Sequence, residues 1–198
     1  MKSANPPHQK LIADPAPQQE IVSNDVKSMI RVNQAGEYGA TRIYAGQLAI
    51  LKGTPAGEIL TEMAAQEGEH LQKFNRLIIE HQVRPTVLQP LWHVGGYALG
   101  MITAMLGEKA AHACTIAVEE VIDEHYQGQL EQLKDKALAP SSSSNAPLAD
   151  LIEKCRQDEL HHKETAIELG GRDAPAYTFL TTAVKTISRT AIWLSSRI

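Results

Sequence analysis

The chain has 198 residues, enough for one domain with a sizeable core. Its formal net charge of −4 and pI of about 6.1 speak against a nucleic-acid binder. Aromatics are only 5%, and segments rich in Ala, Leu, Ile, Glu, Gln and Lys favour helices over a β-sandwich. Two cysteines, Cys114 and Cys155, without a Cys-x-x-Cys pair, make neither a disulfide framework nor a zinc site. They fit a reducing, intracellular setting. Cys114 stands in an apolar stretch and reads as a core residue.

Residues 1–22 are proline-rich and lack the apolar run of a secretory leader, so a flexible tail is expected. A first helix is predicted from Asn24 to Leu51, capped by Ser23 or Asn24, with Val26, Met29, Ile30, Ile43, Leu48 and Leu51 near helical spacing. Gly36 and Gly39 flank Glu37 there. Each interior glycine costs about 1 kcal/mol against alanine, which makes sense where something approaches the backbone. Gly53, then Thr54 as cap before Pro55, closes that helix and opens a second, predicted to run to Val83. It carries Glu67 and His70, and the two helices form an antiparallel hairpin.

From Pro85 to Gly107 the chain has no Asp, Glu, Lys or Arg. A spanning helix needs about 20 apolar residues, and Pro90, His93 and Gly95-Gly96 interrupt this run. It reads as a short helix over residues 91–106 that is buried, re-entrant or at a membrane interface. A long helix follows from Lys109 to Leu138 with Glu119, Glu120, His125 and Tyr126. A Ser-rich surface loop follows over residues 140–147, then a helix from Leu148 to Leu169 with Glu159 and His162, ended by Gly170-Gly171. The last segment, residues 176–195, is apolar apart from Lys185 and Arg189. With Trp193 and the nearby Arg197 it suits either a membrane surface or ordinary packing.

Glu67-Gly68-Glu69-His70 and Glu159-Leu160-His161-His162 are both Glu-x-x-His steps, which set a carboxylate and an imidazole on one helix face. Each is preceded by a glutamate on the helix before it. Seven residues after Glu37 the chain reads Tyr44-Ala45-Gly46-Gln47-Leu48; seven after Glu119 it reads Tyr126-Gln127-Gly128-Gln129-Leu130. That echo is the mark of a duplicated two-helix unit, residues 24–83 and 109–170, and it selects Glu119 over Glu120 as the counterpart of Glu37. The predicted fold is therefore all-α: a single ferritin-like four-helix bundle over residues 23–198 with a di-metal centre and two further apolar helices. Glu37, Glu67, His70, Glu119, Glu159 and His162 are the predicted ligands. Four carboxylates and two imidazoles are a hard set suited to iron or manganese. Glu67 and Glu159 bridge, each imidazole serves one ion, and Glu37 and Glu119 are terminal. Six ligands for two ions leave positions open for dioxygen or peroxide.

The run Ile30-Arg31-Val32-Asn33-Gln34-Ala35-Gly36-Glu37-Tyr38-Gly39-Ala40, then Arg42-Ile43-Tyr44-Ala45-Gly46-Gln47, closely resembles the first-helix signature of the demethoxyubiquinone hydroxylases of ubiquinone biosynthesis. Glu67 to His70, Ala117 to Glu120 with His125-Tyr126, and Glu159 to His162 match that family's other motifs, so the resemblance covers all but the tail. It implies a membrane-associated di-iron monooxygenase that adds one oxygen atom from dioxygen to the ring of a polyprenylated benzoquinone or quinol. It implies the same six ligands, and a proton- or electron-transfer role for His125 and Tyr126, although the echo of Tyr126 at Tyr44 favours packing. No Gly-x-Gly-x-x-Gly fingerprint is present, so the reductant, with NADH as candidate, is expected to come from outside this chain. Further expectations are a peripheral position on the cytoplasmic face of the cell membrane, or the matrix face of the inner mitochondrial membrane, and partner proteins of ubiquinone biosynthesis. Leu91 to Leu106 and Tyr177 to Trp193 are the expected docking surface and channel mouth, with Leu99 and Trp193 as probes. A ferritin-like iron-handling or storage protein, and a di-iron hydroxylase of another substrate, remain as rivals.

Overall fold

A computed structural model describes residues 22–137 and 145–198. The expected tail and most of the Ser-rich loop lie outside the described residues. Six α-helices make up the rest: α1 (Asn24–Leu51), α2 (Pro55–Glu80), α3 (Gln89–Met105), α4 (Glu108–Ala137), α5 (Ala146–Glu168) and α6 (Tyr177–Ser195). A 3-10 turn, Gly171–Asp173, joins the last two. Among the described residues there is no strand.

The start signals act as the sequence implies. Ser23 Oγ accepts from Val26 N at 3.3 Å to open α1, and Thr54 Oγ1 accepts from Gly57 N at 3.1 Å to open α2. Gly53, at φ +87°, turns the chain between them. The end of α2 differs from expectation: it stops at Glu80 rather than Val83. Gln82 takes the left-handed conformation at φ 50°, so Val83 N reaches Ile78 O at 2.9 Å and Gln82 N reaches Ile79 O at 3.2 Å. That 6→1 and 5→2 pattern ends a helix without glycine.

The pairs α1–α2 and α4–α5 are two hairpins that bring their polar stripes together, a ferritin-like bundle. Ile30, Phe74, Cys114, Ala117, Tyr126, Ile152 and Cys155 belong to the main buried core. Helix α3 lies on α1, and the contact passes through glycine. A Cβ on Gly46 would stand 2.1 Å from Tyr97 O, and one on Gly100 would stand 1.9 Å from Ile43 O. Larger residues at either position would force the helices apart.

Helix α6 lies mainly on α4. Lys185 pairs with Glu120, Arg189 Nη2 is 2.9 Å from Glu124 Oε2, and the Arg197 guanidinium stacks on Trp193. Of the two readings left open for this helix, these two cations follow ordinary packing and face α4. Lysine and arginine four residues apart on α6 meet glutamates four apart on α4. Helices α3 and α6 still turn an apolar face outward, with Val94, Ile102, Met105, Phe179, Ile187 and Trp193 exposed. No helix among the described residues is long and apolar enough to cross a membrane.

Candidate metal centre

All six expected ligand residues are buried at the middle of the bundle: Glu37, Glu67, His70, Glu119, Glu159 and His162. One ligand atom each of Glu37, Glu67, His70 and Glu159 lies within 4.8 Å of the others, and the same holds for Glu67, Glu119, Glu159 and His162. Glu67 and Glu159 belong to both groups. The imidazoles enter through Nδ1. His70 Nδ1 is 3.1 Å from Glu159 Oε1 and 3.6 Å from Glu37 Oε2. His162 Nδ1 is 3.2 Å from both Glu67 Oε1 and Glu159 Oε2.

A cluster of four buried carboxylates is costly unless its charge is neutralised. Burial pushes Glu67 and Glu119 well above the usual carboxylate range, and the charge of Glu159 adds to the rise. Glu37 is also raised by burial, against the contact with His70. Burial alone would lower both imidazoles. Hydrogen bonds to Glu159 and Glu37 instead push His70 up to about 12, and those to Glu159 and Glu67 push His162 up to about 9. Glu159, which burial alone would raise, is held at about 2 by His162 and His70. Protons thus carry the balancing charge when no cation is present.

The donor set fits metal. Glu67 Oε2 and Glu119 Oε2 are buried without a hydrogen-bond partner, and Glu67 Oε1 and Glu37 Oε2 have only the imidazole contacts given above. Native interiors rarely leave such atoms unsatisfied, and a pair of cations between them would supply what they lack.

The halves meet reciprocally. Tyr44 Oη of α1 donates to Glu119 Oε1 of α4 at 3.2 Å, and Tyr126 Oη of α4 donates to Glu37 of α1. Gln47 Nε2 reaches Ala111 O at 3.1 Å, while Gln129 Nε2 reaches Asn33 Oδ1 at 2.8 Å. Tyr126 is therefore in contact with the cluster, and so is its echo. His125 is not among the residues brought together there. Its Nε2 stands 3.1 Å from Asn33 Oδ1 and 2.9 Å from Gln129 Nε2, and burial lowers it to about 4. It is a neutral imidazole at physiological pH, one ring away from the cluster through Tyr126.

Sequence reasoning missed three side chains around the centre. Asp158 and Gln66 touch the outer nitrogens of His70 and His162. Cys155 Sγ lies within 4.8 Å of ligand atoms of Glu37 and His70. The available signal was position: Gln66 and Asp158 each precede a ligand glutamate, and Cys155 stands one turn before Glu159.

An apolar cleft of about 350 Å³ adjoins the centre between α1, α3, α4 and α6. Gly36 and Val118, neighbours of Glu37 and Glu119, line its floor, and Leu91, Leu99, Ile187 and Ile192 line its walls. A Cβ on Gly36 or Gly39 would meet nothing within 4 Å. The glycines beside Glu37 thus leave open space. Leu99 lines this cleft, so it is no test of the outer surface; Val94, two-thirds exposed, is a better one.

The family described as "Ubiquinone biosynthesis protein COQ7" matches residues 24–195. The chain belongs to this family. A relative from Dictyostelium discoideum, the mitochondrial NADPH-dependent 3-demethoxyubiquinone 3-hydroxylase, is 47% identical over 173 residues, 87% of this chain and 77% of that one. The 3-demethoxyubiquinol 3-hydroxylase of Rhodospirillum rubrum is 45% identical over 190 residues, 96% of this chain and 84% of its own. The human mitochondrial NADPH-dependent 3-demethoxyubiquinone 3-hydroxylase is 46% identical over 173 residues, 87% and 78% of the two chains. The family is one of ubiquinone biosynthesis, and its matched span contains every residue of the cluster described above.

Proposed function

We propose that the chain is a di-iron monooxygenase that hydroxylates the ring of a polyprenylated demethoxy-benzoquinone or its quinol in ubiquinone biosynthesis. The observation that carries this is a buried cluster of four carboxylates and two imidazoles with unsatisfied carboxylate oxygens, together with an open apolar cleft lined by the sequence neighbours of two of them, Gly36 and Val118. A storage protein would share the cluster but has no use for the cleft, and the names of the relatives favour the hydroxylase.

In this reading Glu37 and His70 would hold one ion and Glu119 and His162 the other, with Glu67 and Glu159, which belong to both groups, serving the two together. Bound iron supplies the activation of dioxygen. The ring C–H, dioxygen, two electrons and two protons give ring C–OH and water. The remaining tasks belong to the chain. Gly36 and Gly39 leave room for a flat ring above Glu37. Leu91, Leu99 and Ile192 offer apolar walls that exclude water and leave the prenyl tail a path toward the outer face of α3 and α6. Tyr44 and Tyr126 each donate to a terminal carboxylate and fix its inward oxygen. Tyr126, with His125 beside it, offers one route for a proton leaving the cluster.

The exposed apolar residues of α3 and α6 dock the protein peripherally on a membrane, where the prenyl tail resides. We place it on the cytoplasmic face of the cell membrane, or on the matrix face of the inner mitochondrial membrane as the names of the mitochondrial relatives favour. Those names also favour a reduced nicotinamide as the electron source, delivered from outside this chain. Other proteins of the same pathway are its expected partners.

The reading is tested by loading the purified chain anaerobically with ferrous iron, adding a demethoxy-quinone and a reductant, and admitting labelled dioxygen. The expected product is a hydroxylated quinone carrying one labelled oxygen. Two irons bound with no hydroxylated product would contradict the hydroxylase reading.

A further inference from the structure

Each inward-facing imidazole of the centre has one outward contact, and the two contacts are chemically unequal. His70 Nε2 lies 3.0 Å from Asp158 Oδ2. His162 Nε2 lies 2.6 Å from Gln66 Oε1. With Nδ1 turned inward in both, Nε2–H is the donor. The acceptors come from matching positions of the two halves and cross between them. Asp158 immediately precedes Glu159 on α5 and serves the histidine of α2; Gln66 immediately precedes Glu67 on α2 and serves the histidine of α5. The near-symmetric frame thus supplies a carboxylate to one imidazole and a neutral amide to the other.

A carboxylate draws the Nε2 proton toward itself and leaves more negative charge on Nδ1. A charge-assisted hydrogen bond is roughly twice as strong as a neutral one. The extra charge strengthens the bond from Nδ1 to a metal, and more so for a trivalent ion than for a divalent one. Asp158 is partly exposed, with its side chain at 37%, so water weakens its field but leaves the direct contact with a buried imidazole.

We propose that Asp158 makes the two metal positions unequal: the ion held by Glu37 and His70 keeps its ferric state more strongly and is the last of the two to be reduced. Asp158 acts through His70 and is a positioning residue. The inference rests on the six-ligand reading above.

The test is an anaerobic reductive titration of the full-length protein loaded with two irons. Dithionite supplies one electron to each ferric ion in turn, and electron paramagnetic resonance follows the half-reduced, mixed-valence form. The yield of that form grows with the separation of the two one-electron potentials. Asp158→Asn raises the lower potential and Gln66→Glu lowers the higher one. Each single variant therefore lowers the mixed-valence yield, by about twofold or more given the strength of such contacts. The mean potential moves up in the first and down in the second. The double variant Gln66→Glu/Asp158→Asn moves the carboxylate to the other histidine, and the yield recovers. A structural disturbance would move both means in one direction and would not be rescued by the double change.

Two irons with the wild-type yield in either single variant overturn the inference and leave the ligand reading standing. Should Asp158→Asn fail to take up two irons, Gln66→Glu, which removes no charge and no contact atom, decides alone on the same criterion. A wild-type protein that binds no iron overturns the ligand reading itself, before any variant is made.

Discussion

Two interiors lie side by side in this molecule, and they are built on opposite rules. The candidate metal centre is polar, closed and held by groups that meet one another across helices: Tyr44 with Glu119, Tyr126 with Glu37, His70 with Glu159. The cleft beside it is apolar, open and kept empty by glycine. The first needs charge brought in to be complete. The second needs a flat apolar group. Gly36 and Val118 line the cleft while their sequence neighbours Glu37 and Glu119 belong to the cluster, so the two interiors share α1 and α4.

The largest blow to this arrangement is Glu159→Ala, which takes away an oxygen from each of the two ligand groups. Turnover falls below detection and bound metal drops below two ions per chain, measured by product formation and by metal analysis. Next is Gly36→Phe, which puts a ring into the cleft and leaves the six ligands in place. Quinone turnover falls about 100-fold, the scale of a misplaced reactant, while metal content stays at the wild-type value. If both interiors fail in this variant, the separation drawn between them is wrong.

Metal and pH separate them further. At a free metal concentration a thousand times the dissociation constant, the folded state gains about 4 kcal/mol, read as a rise in melting temperature. Without metal, stability falls as pH rises from 7 to 9. In that window the unfolded imidazoles have already lost their protons, whereas His70 and His162, pushed up to about 12 and about 9 by their carboxylate contacts, still hold theirs and must give them up. Burial raises Glu67 and Glu119 in the same direction. The unfolded state binds fewer protons throughout, and that is the sign of a stability lost with rising pH. Metal replaces those protons, so the metal-induced gain in melting temperature grows across the same window.

The smallest expected effect concerns the outward apolar face of α3 and α6. Val94→Asp or Phe179→Asp replaces an exposed apolar residue worth about 1.5–3 kcal/mol when buried. Binding to anionic vesicles, measured by co-sedimentation, weakens about tenfold, while turnover of a short-tailed soluble quinone stays unchanged. Vesicle binding unaltered in both variants would remove α3 and α6 as the docking surface.

The polar interior was the more legible of the two in the sequence. A Glu-x-x-His step fixes the relation of its two side chains through the helix alone, so spacing is enough to place Glu67 beside His70 and Glu159 beside His162. Gly36 and Gly39 mark Glu37, and the echo of Tyr44 in Tyr126 selects Glu119 as its counterpart. The contacts that depend on register between helices were not readable. Asp158 reaching His70 and Cys155 reaching Glu37 require knowing how α5 sits against α2 and α1. Helix α3 is apolar all round, so periodicity could not tell that Leu99 faces the cleft and Val94 faces outward. For Lys185 and Arg189 their own apolar helix leaves a membrane surface and ordinary packing equally open. Their partners Glu120 and Glu124, four residues apart on α4, carried the signal that they were spoken for.

The central claim is that six side chains hold two metal ions at the middle of the bundle. Anomalous diffraction from crystals of the iron-loaded protein, collected on either side of the iron edge, tests it most directly. The account predicts two anomalous peaks, one beside Glu37 and His70, one beside Glu119 and His162, with Glu67 and Glu159 between them. A single peak, or iron elsewhere with these carboxylates still bare, would contradict it.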